Sequence, residues 1–463
     1  MKLRWAIILT VFIACCLSVN SCRKAEELLP EQGEEYSGGS GTVFNSSPLA
    51  FTQEISNLSA NEGLLFFVGN SFFNQNWVSA PASTTARDGL GPLFNARSCS
   101  SCHSLDGRGT PPQFAGDEGK GLLLRLAING TDEHGGPLGD PIYGGQLQDG
   151  AIQGLNAEGR LNITYYEMEG QYADGTIYHL RKPIYSITEL QYDNLAATQI
   201  SPRIATQMPG IGLLEAVPAA TILALVDEGD ANGDGVSGKA NMVWDAKSQQ
   251  VMLGRFGWKA NQPTVYQQTC SAFLGDLGIT TELFPNENYG AIPNGQNLPN
   301  GGSPEIDEDD LEKVVLYSSV LAVPARRNWE DKNVLEGKQL FTKLGCEKCH
   351  TPKLQTGAHP IAALTNQTIR PYTDLLLHDM GPGLADNYND YLANGNEWRT
   401  QPLWGLGLIG VVNGHTNLLH DGRARNIEEA ILWHAGEAEQ SKNSFKQLSK
   451  TERDKLLAFL NSL

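Results

Sequence analysis

The sequence predicts a mainly α fold of two similar units, the first enlarged by loops and a β-hairpin. Three observations carry that expectation. The pattern Leu-Phe, four residues, Cys-x-x-Cys-His occurs twice, in "GPLFNARSCSSCH" (Gly91 to His103) and "GKQLFTKLGCEKCH" (Gly337 to His350). Each occurrence is followed, further along, by a segment with helical apolar spacing. The chain of 463 residues is also long enough for two domains that each bury a core, at roughly 100–200 residues per domain.

Taken in order, the elements begin with an export signal. Lys2 and Arg4 precede "WAIILTVFIACCLSV", a run too short for a confident membrane span, and small Ser21 stands before Cys22. Residues 1–22 therefore read as a lipoprotein signal with Cys22 acylated; Cys15, a plain secretory signal and an uncleaved anchor are the alternatives. Residues 23–47 carry Glu, Gly and Ser without periodicity and read as a flexible acidic linker. The first domain is expected over 48–325 and the second over 331–463, with the boundary in "ARRNWED".

In the second unit Leu335, Leu340, Phe341 and Leu344 fall near helical spacing, and Leu93-Phe94 hold the corresponding positions before the first Cys-x-x-Cys-His. "SPEIDEDDLEKVVLYSSVLAVP" opens with acids, places Leu311, Val314, Val315, Ser318 and Leu321 on one face and stops at Pro324. "LSKTERDKLLAFLNSL" offers Ser449 and Glu452 as a capping box ahead of Leu456, Leu457 and Leu460. Inside the first unit, "LNITYYEMEGQYADGTIYHLRKPIYSI" reads as a hairpin turning at Asp174-Gly175. "DEGDANGDGVSG" repeats the opening of a calcium loop through Asp230, Asn232, Asp234 and Gly235. Asn241 stands where that loop needs a bidentate Glu, so an ordinary Asx-rich turn is the competing reading, with Asp227 as a substitute ligand.

A net charge of −18 argues against nucleic-acid binding, which needs Lys and Arg to replace phosphate counterions. It suits a basic redox partner such as a small cytochrome. Outside the signal the cysteines are Cys99, Cys102, Cys270, Cys346 and Cys349, and only Cys270 lies outside a Cys-x-x-Cys-His. Cys270 reads as a lone buried thiol. Cys-x-x-Cys-His is the attachment site of c-type haem: two thiols add to the vinyl groups and the adjacent imidazole meets the iron. A thioredoxin-like pair lacks its strand-then-helix context here, and a zinc site would want a second thiol pair. Two covalent haems are expected, with His103 and His350 as iron ligands. The far coordination position of each then decides between turnover and electron relay.

The segment "HDGRARNIEEAILWHAGEA", downstream of the second Cys-x-x-Cys-His, resembles the bacterial di-haem cytochrome c peroxidase and MauG superfamily. "YGGQLQD", "SPRIATQMPGIGLLEAVP", "GRFGWKA", "PYTDLLLHDMGPGLAD" and "EWRTQPLWGLG" resemble more specifically its di-haem oxidoreductase and peroxidase branch, also called "thiol oxidoreductase". The resemblance runs from about residue 48 to the C-terminus and implies two cytochrome c-like domains, with electrons passing from the C-terminal haem to the N-terminal one, where peroxide or another oxidant is reduced. It implies His434 as far-side ligand of the second haem, where the peroxidases use Met, and imidazole in place of thioether lowers the potential. His420 and Arg423 are implied near the same haem, with Arg423 on a propionate. Around the first haem the resemblance points to Glu215 as the proton-moving carboxylate and Arg203 as charge stabiliser, a structural Glu at a helix end being the alternative. His134 is a weak candidate for that haem's far side. Trp258 or Trp404 lies between the haems or simply packs. A purely electron-transferring di-haem protein, MauG-like oxidation of a partner protein and service to a metal-uptake system are the competing functions. Export with a lipid anchor implies the periplasm or the outer membrane.

Overall fold

The computed structural model describes residues 28–114, 116–288, 292 and 297–463. The signal, Cys15 and Cys22 lie outside these residues. The expected mainly α fold is corrected: the structure is 28% helix and 19% strand, with the strands in several small sheets. The excess strand comes from the first half, where alternating β-branched and aromatic residues favour a pleated surface over a helix.

Two helix pairs frame the molecule, and they repeat each other at the crossing. In the first half α1 (Ala60–Asn74), started by the reciprocal capping box of Ser59 and Glu62, packs on α2 (Glu308–Ser319), which Asp307 caps. In the second half α3 (Lys332–Lys343), capped by Asp331, packs on α4 (Lys450–Ser462), where the predicted Ser449–Glu452 box is present. The crossings are close because each carries a glycine: a Cβ on Gly69 would collide with the carbonyl of Lys313, and one on Gly337 with that of Lys455. Four residues on, Phe73 packs on Tyr317 at 5.1 Å and Phe341 on Phe459 at 5.2 Å between ring centroids.

This frame corrects the proposed equivalence of Leu93-Phe94 and Leu340-Phe341. Leu93 and Phe94 form a two-residue strand, β1 (Leu93–Phe94), paired with Ala151 and Gly150, whereas Leu340 and Phe341 lie within α3. The counterpart of Phe341 is Phe73, in "VGNSFF" beside "EGKQLF". In the first half a loop of more than twenty residues separates this helix from its cysteines, so a search at fixed offset lands on the wrong Phe.

The insertion holds β2 (Leu122–Thr131), paired antiparallel with β5 (Gln199–Ile204), and the expected hairpin of β3 (Arg160–Gln171) and β4 (Ile177–Thr188). Gly175 takes a φ of 86° at its turn, a conformation costly for a residue with a Cβ. The hairpin leans on the second half: Tyr172 donates to Glu428 at 2.7 Å, Asp174 pairs with Arg453 at 2.9 Å, and Tyr185 donates to Asp421 at 2.8 Å. The cores cross the 325–331 segment too. Leu354, Leu364, Ile369 and Trp404 belong to the cluster built on α1 and α2, while Phe51, Leu180 and Trp258 belong to the one built on α3 and α4.

Residues 28–47, expected as the end of a flexible linker, are instead packed. Glu34 is buried against Arg326 at 2.9 Å and also pairs with Lys338; Glu31 meets Lys353 at 2.8 Å and Arg370 at 3.1 Å. Val43 forms a parallel bridge with Pro324. The partners lie about three hundred residues away, so local periodicity carries no sign of them. Among the described residues no helix is long and apolar enough to cross a membrane.

Candidate functional site

Each Cys-x-x-Cys-His folds as one tight turn. His103 N donates to Cys99 O at 2.9 Å and His350 N to Cys346 O at 3.0 Å, and Cys346, Cys349 and His350 line one cavity. The four cysteines are free thiols. Phe73 and Phe341 stand 6.3 Å from the rings of His103 and His350 respectively. Nδ1 of His103 donates to Thr206 O at 2.8 Å and Nδ1 of His350 to Tyr372 O at 3.0 Å. Each bond fixes the tautomer and leaves Nε2 as a lone-pair donor, the arrangement of a metal-ligating histidine. Burial lowers the pKa of His103, and burial together with the nearby His434 brings that of His350 to about 4, so both imidazoles are neutral.

The second turn opens into a deep, largely apolar cavity whose wall also includes His378, Met380, His420 and His434. His434 ends the helix α5 (Ile427–Trp433). Asn426 caps that helix by accepting from Glu429 N, and the Glu429 carboxylate takes Arg425 N and Nε. His434 Nδ1 donates to Ala430 O at 2.7 Å and burial lowers its pKa, so it too is a neutral imidazole with Nε2 available. Two thiols, two such imidazoles and apolar walls are the donor set a haem needs, and the cavity fits that group.

His420 lines the same cavity with its ring stacked 3.9 Å from Trp398, and burial brings its pKa to about 4. Arg423 is not free to meet a propionate: its Nε and Nη2 hold Asp421 at 2.8 and 2.7 Å. Burial alone would raise Asp421; Arg423 outweighs it and holds the carboxyl well below the usual range. Sequence reasoning missed His378. Its Nε2 lies 2.8 Å from Asp374, its Nδ1 2.8 Å from Glu437 and 3.5 Å from Cys349 Sγ. A carboxylate on each ring nitrogen makes both nitrogens donors. Burial opposes the charge, but these partners raise the pKa well above 6.5, so His378 is an imidazolium beside the Cys349 thiol. Burial pushes the Cys99, Cys102 and Cys346 thiols up to about 12; Cys349 is raised too, with His378 opposing. The spacing of Asp374 and His378 by four residues was the available signal, but Glu437 is distant in sequence.

Glu215 ends the short helix Ile211–Glu215, accepts Val265 N at 2.7 Å and lies 3.3 Å from His359 Nε2. His359 Nδ1 accepts from Ile361 N, so the ring proton of the neutral form sits on Nε2, toward Glu215. His359 had no pattern to mark it. Arg203 is engaged elsewhere, with Asp390 at 3.0 Å and Ser201. Trp258 reaches the wall of the second cavity and donates to Ile204 O at 2.8 Å, while Trp404 is buried against Gly210. His134 stacks on Trp244 at 4.0 Å. Cys270 is fully buried, as expected.

In the calcium-like loop the carboxylates of Asp227, Asp230 and Asp234 and the Asn232 amide accept backbone N–H groups, and Lys348 reaches Asp234 at 3.5 Å. Asn241 is buried and bonded to Lys259 O and Asp390 O. Among the described residues no group of three or more His, Cys, Asp or Glu is arranged to hold a metal ion.

Residues 32–463 match the sequence family described as "Di-haem oxidoreductase, putative peroxidase". No curated protein and no solved structure matches the chain. With that match over nearly its whole length, and two matching sets of free thiols and neutral imidazoles, the chain belongs to this family of di-haem oxidoreductases.

Proposed function

We propose that the protein is an exported, lipid-anchored c-type di-haem oxidoreductase that reduces peroxide at the first haem with electrons received through the second. The observation that carries this reading is the pairing of His350 and His434 in one cavity, each with Nδ1 committed to a carbonyl. Held through Cys99, Cys102, Cys346 and Cys349, the haems supply the two electrons that, with two protons, turn peroxide into two waters.

The side chains divide the remaining work. His103 and His350 present Nε2 to the irons because Thr206 and Tyr372 hold Nδ1. His434, in the same cavity as His350, would be a second imidazole ligand for that haem, which would favour relay there over peroxide binding. In the first half Glu215 Oε2, beside His359 Nε2, is the place where a proton is held and handed on. The charge of −18 suits a basic electron donor such as a small cytochrome. The segment ending at Cys22 supports lipidation and residence in the periplasm or on the outer membrane.

The test uses full-length protein from a host with cytochrome maturation. Denatured protein keeps two haems by intact mass, and the spectrum has one low-spin component that H434A converts to high spin. A chain that loses all its porphyrin on acid-acetone extraction, or an H434A spectrum identical to wild type, defeats the reading.

A further inference from the structure

The wall of the second cavity holds two positive charges that no carboxylate among the described residues pairs. Arg108 and Arg399 are 5% and 7% exposed, and both line the cavity. Arg108 donates through Nε to Asn417 O at 2.8 Å and through Nη2 to Leu419 O; Gln207 Oε1 lies 3.5 Å from Nη1. Arg399 donates through Nε to Gly257 O and through Nη2 to Gln401 Oε1, both at 2.9 Å. Its Nη1 is buried with no partner among the described residues. The buried arginines Arg203 and Arg423, by contrast, each hold an Asp directly.

Burial lowers Arg108 and Arg399 to about 10, with Asp421 and Asp374 acting only from a distance. A guanidinium held out of water without an anion is costly, and such a group persists where an anion completes the site. Both adjoin Trp258: the Arg108 guanidinium lies over its ring at 5.2 Å, and Arg399 N donates to Trp258 O at 2.9 Å.

We infer that Arg108 and Arg399 receive the propionate carboxylates of the second haem, the role expected of Arg423. The inference rests on the reading of this cavity as a haem site. A haem brings two carboxylates, and the planar fork of Arg suits a carboxylate better than a point charge does. Arg108 follows His103 by only five residues, so the first attachment segment lends an arm to the second cofactor. Neutralising the propionates there also raises the potential of the second haem, against the lowering effect of a second imidazole.

The experiment compares full-length, matured wild type with R108Q, R399Q, R108K and R399K. Haem count by intact mass should stay at two per chain, because the thioethers are untouched. Spectroelectrochemical titration should show a lower midpoint potential for the low-spin haem in both Gln variants, and resonance Raman should show shifted propionate bending bands. The Lys variants should keep the potential close to wild type while still shifting those bands. Unchanged potential and bands in both Gln variants overturn the inference. If a Gln variant does not fold, unchanged bands in the Lys variants do so. A wild-type chain without a haem at Cys346 and Cys349 would refute the di-haem reading instead.

Discussion

The two Cys-x-x-Cys-His frames are built alike on one side and differ on the other. Gly69 and Gly337 admit the close helix crossings, Phe73 and Phe341 stand against the histidines, and Thr206 and Tyr372 hold Nδ1. Beyond that shared side, His350 shares its cavity wall with His434, which helps to lower its pKa, whereas burial is the main cause of the lowered pKa at His103. Glu215 of the first half lies 3.3 Å from His359 of the second. One scaffold thus holds two Cys-x-x-Cys-His turns, and under the proposed function the group facing each one separates relay from turnover.

The most demanding challenge to this comparison is E215Q. It should lower kcat for peroxide by roughly 10²–10⁴-fold in stopped-flow assays, while the low-spin spectrum of the second haem stays as in wild type. A loss of low-spin signal instead would mean that the two sites are not separable in this way.

Next come G69A and G337A. Each forces a methyl group into a facing backbone carbonyl, so each should cost about 3 kcal/mol, the upper end for overpacking, in denaturant unfolding. Unequal costs would show that the helix pairs are not equivalent in energy.

His420 tests the second cavity through pH. Its pKa, brought to about 4 by burial, lies below the ordinary 6.5, so the unfolded chain binds a proton that the folded one refuses. Its contribution is complete above about pH 6.5 and falls away as pH drops toward 4, by about 3 kcal/mol. H420Q should flatten that part of the stability profile. The smallest effect is expected at the hairpin, where Y172F removes the bond to Glu428 and should cost about 1 kcal/mol without altering either haem spectrum.

Legibility in the sequence followed the range of the contacts. The hairpin turn at Asp174-Gly175, the Ser449–Glu452 box and the buried face of Leu311, Val314 and Ser318 appear in the structure, because a turn, a cap and a helical stripe are set by residues a few positions apart; Val315 is only half-buried, and the helix ends at Ser319, before Leu321. The mainly α expectation failed because the insertion contributes more paired strand than its one obvious hairpin announces. Arg423 was expected on a propionate, but Asp421, two residues away, already holds it. His359 and the His378 trio went unseen, since their partners Glu215 and Glu437 lie far along the chain.

The chain by itself determined that two thiol pairs, each with its histidine, would be offered in tight turns, because five adjacent residues suffice to make that unit. Which imidazole would share a cavity with His350, and which guanidiniums would line it without an anion, was decided only by the tertiary structure. Those outcomes depend on burial and on charges brought together from distant segments, as when Arg108 leaves the first attachment loop to line the second cavity. A buried charge must find its partner in space, and proximity in space is what a linear order of residues does not contain.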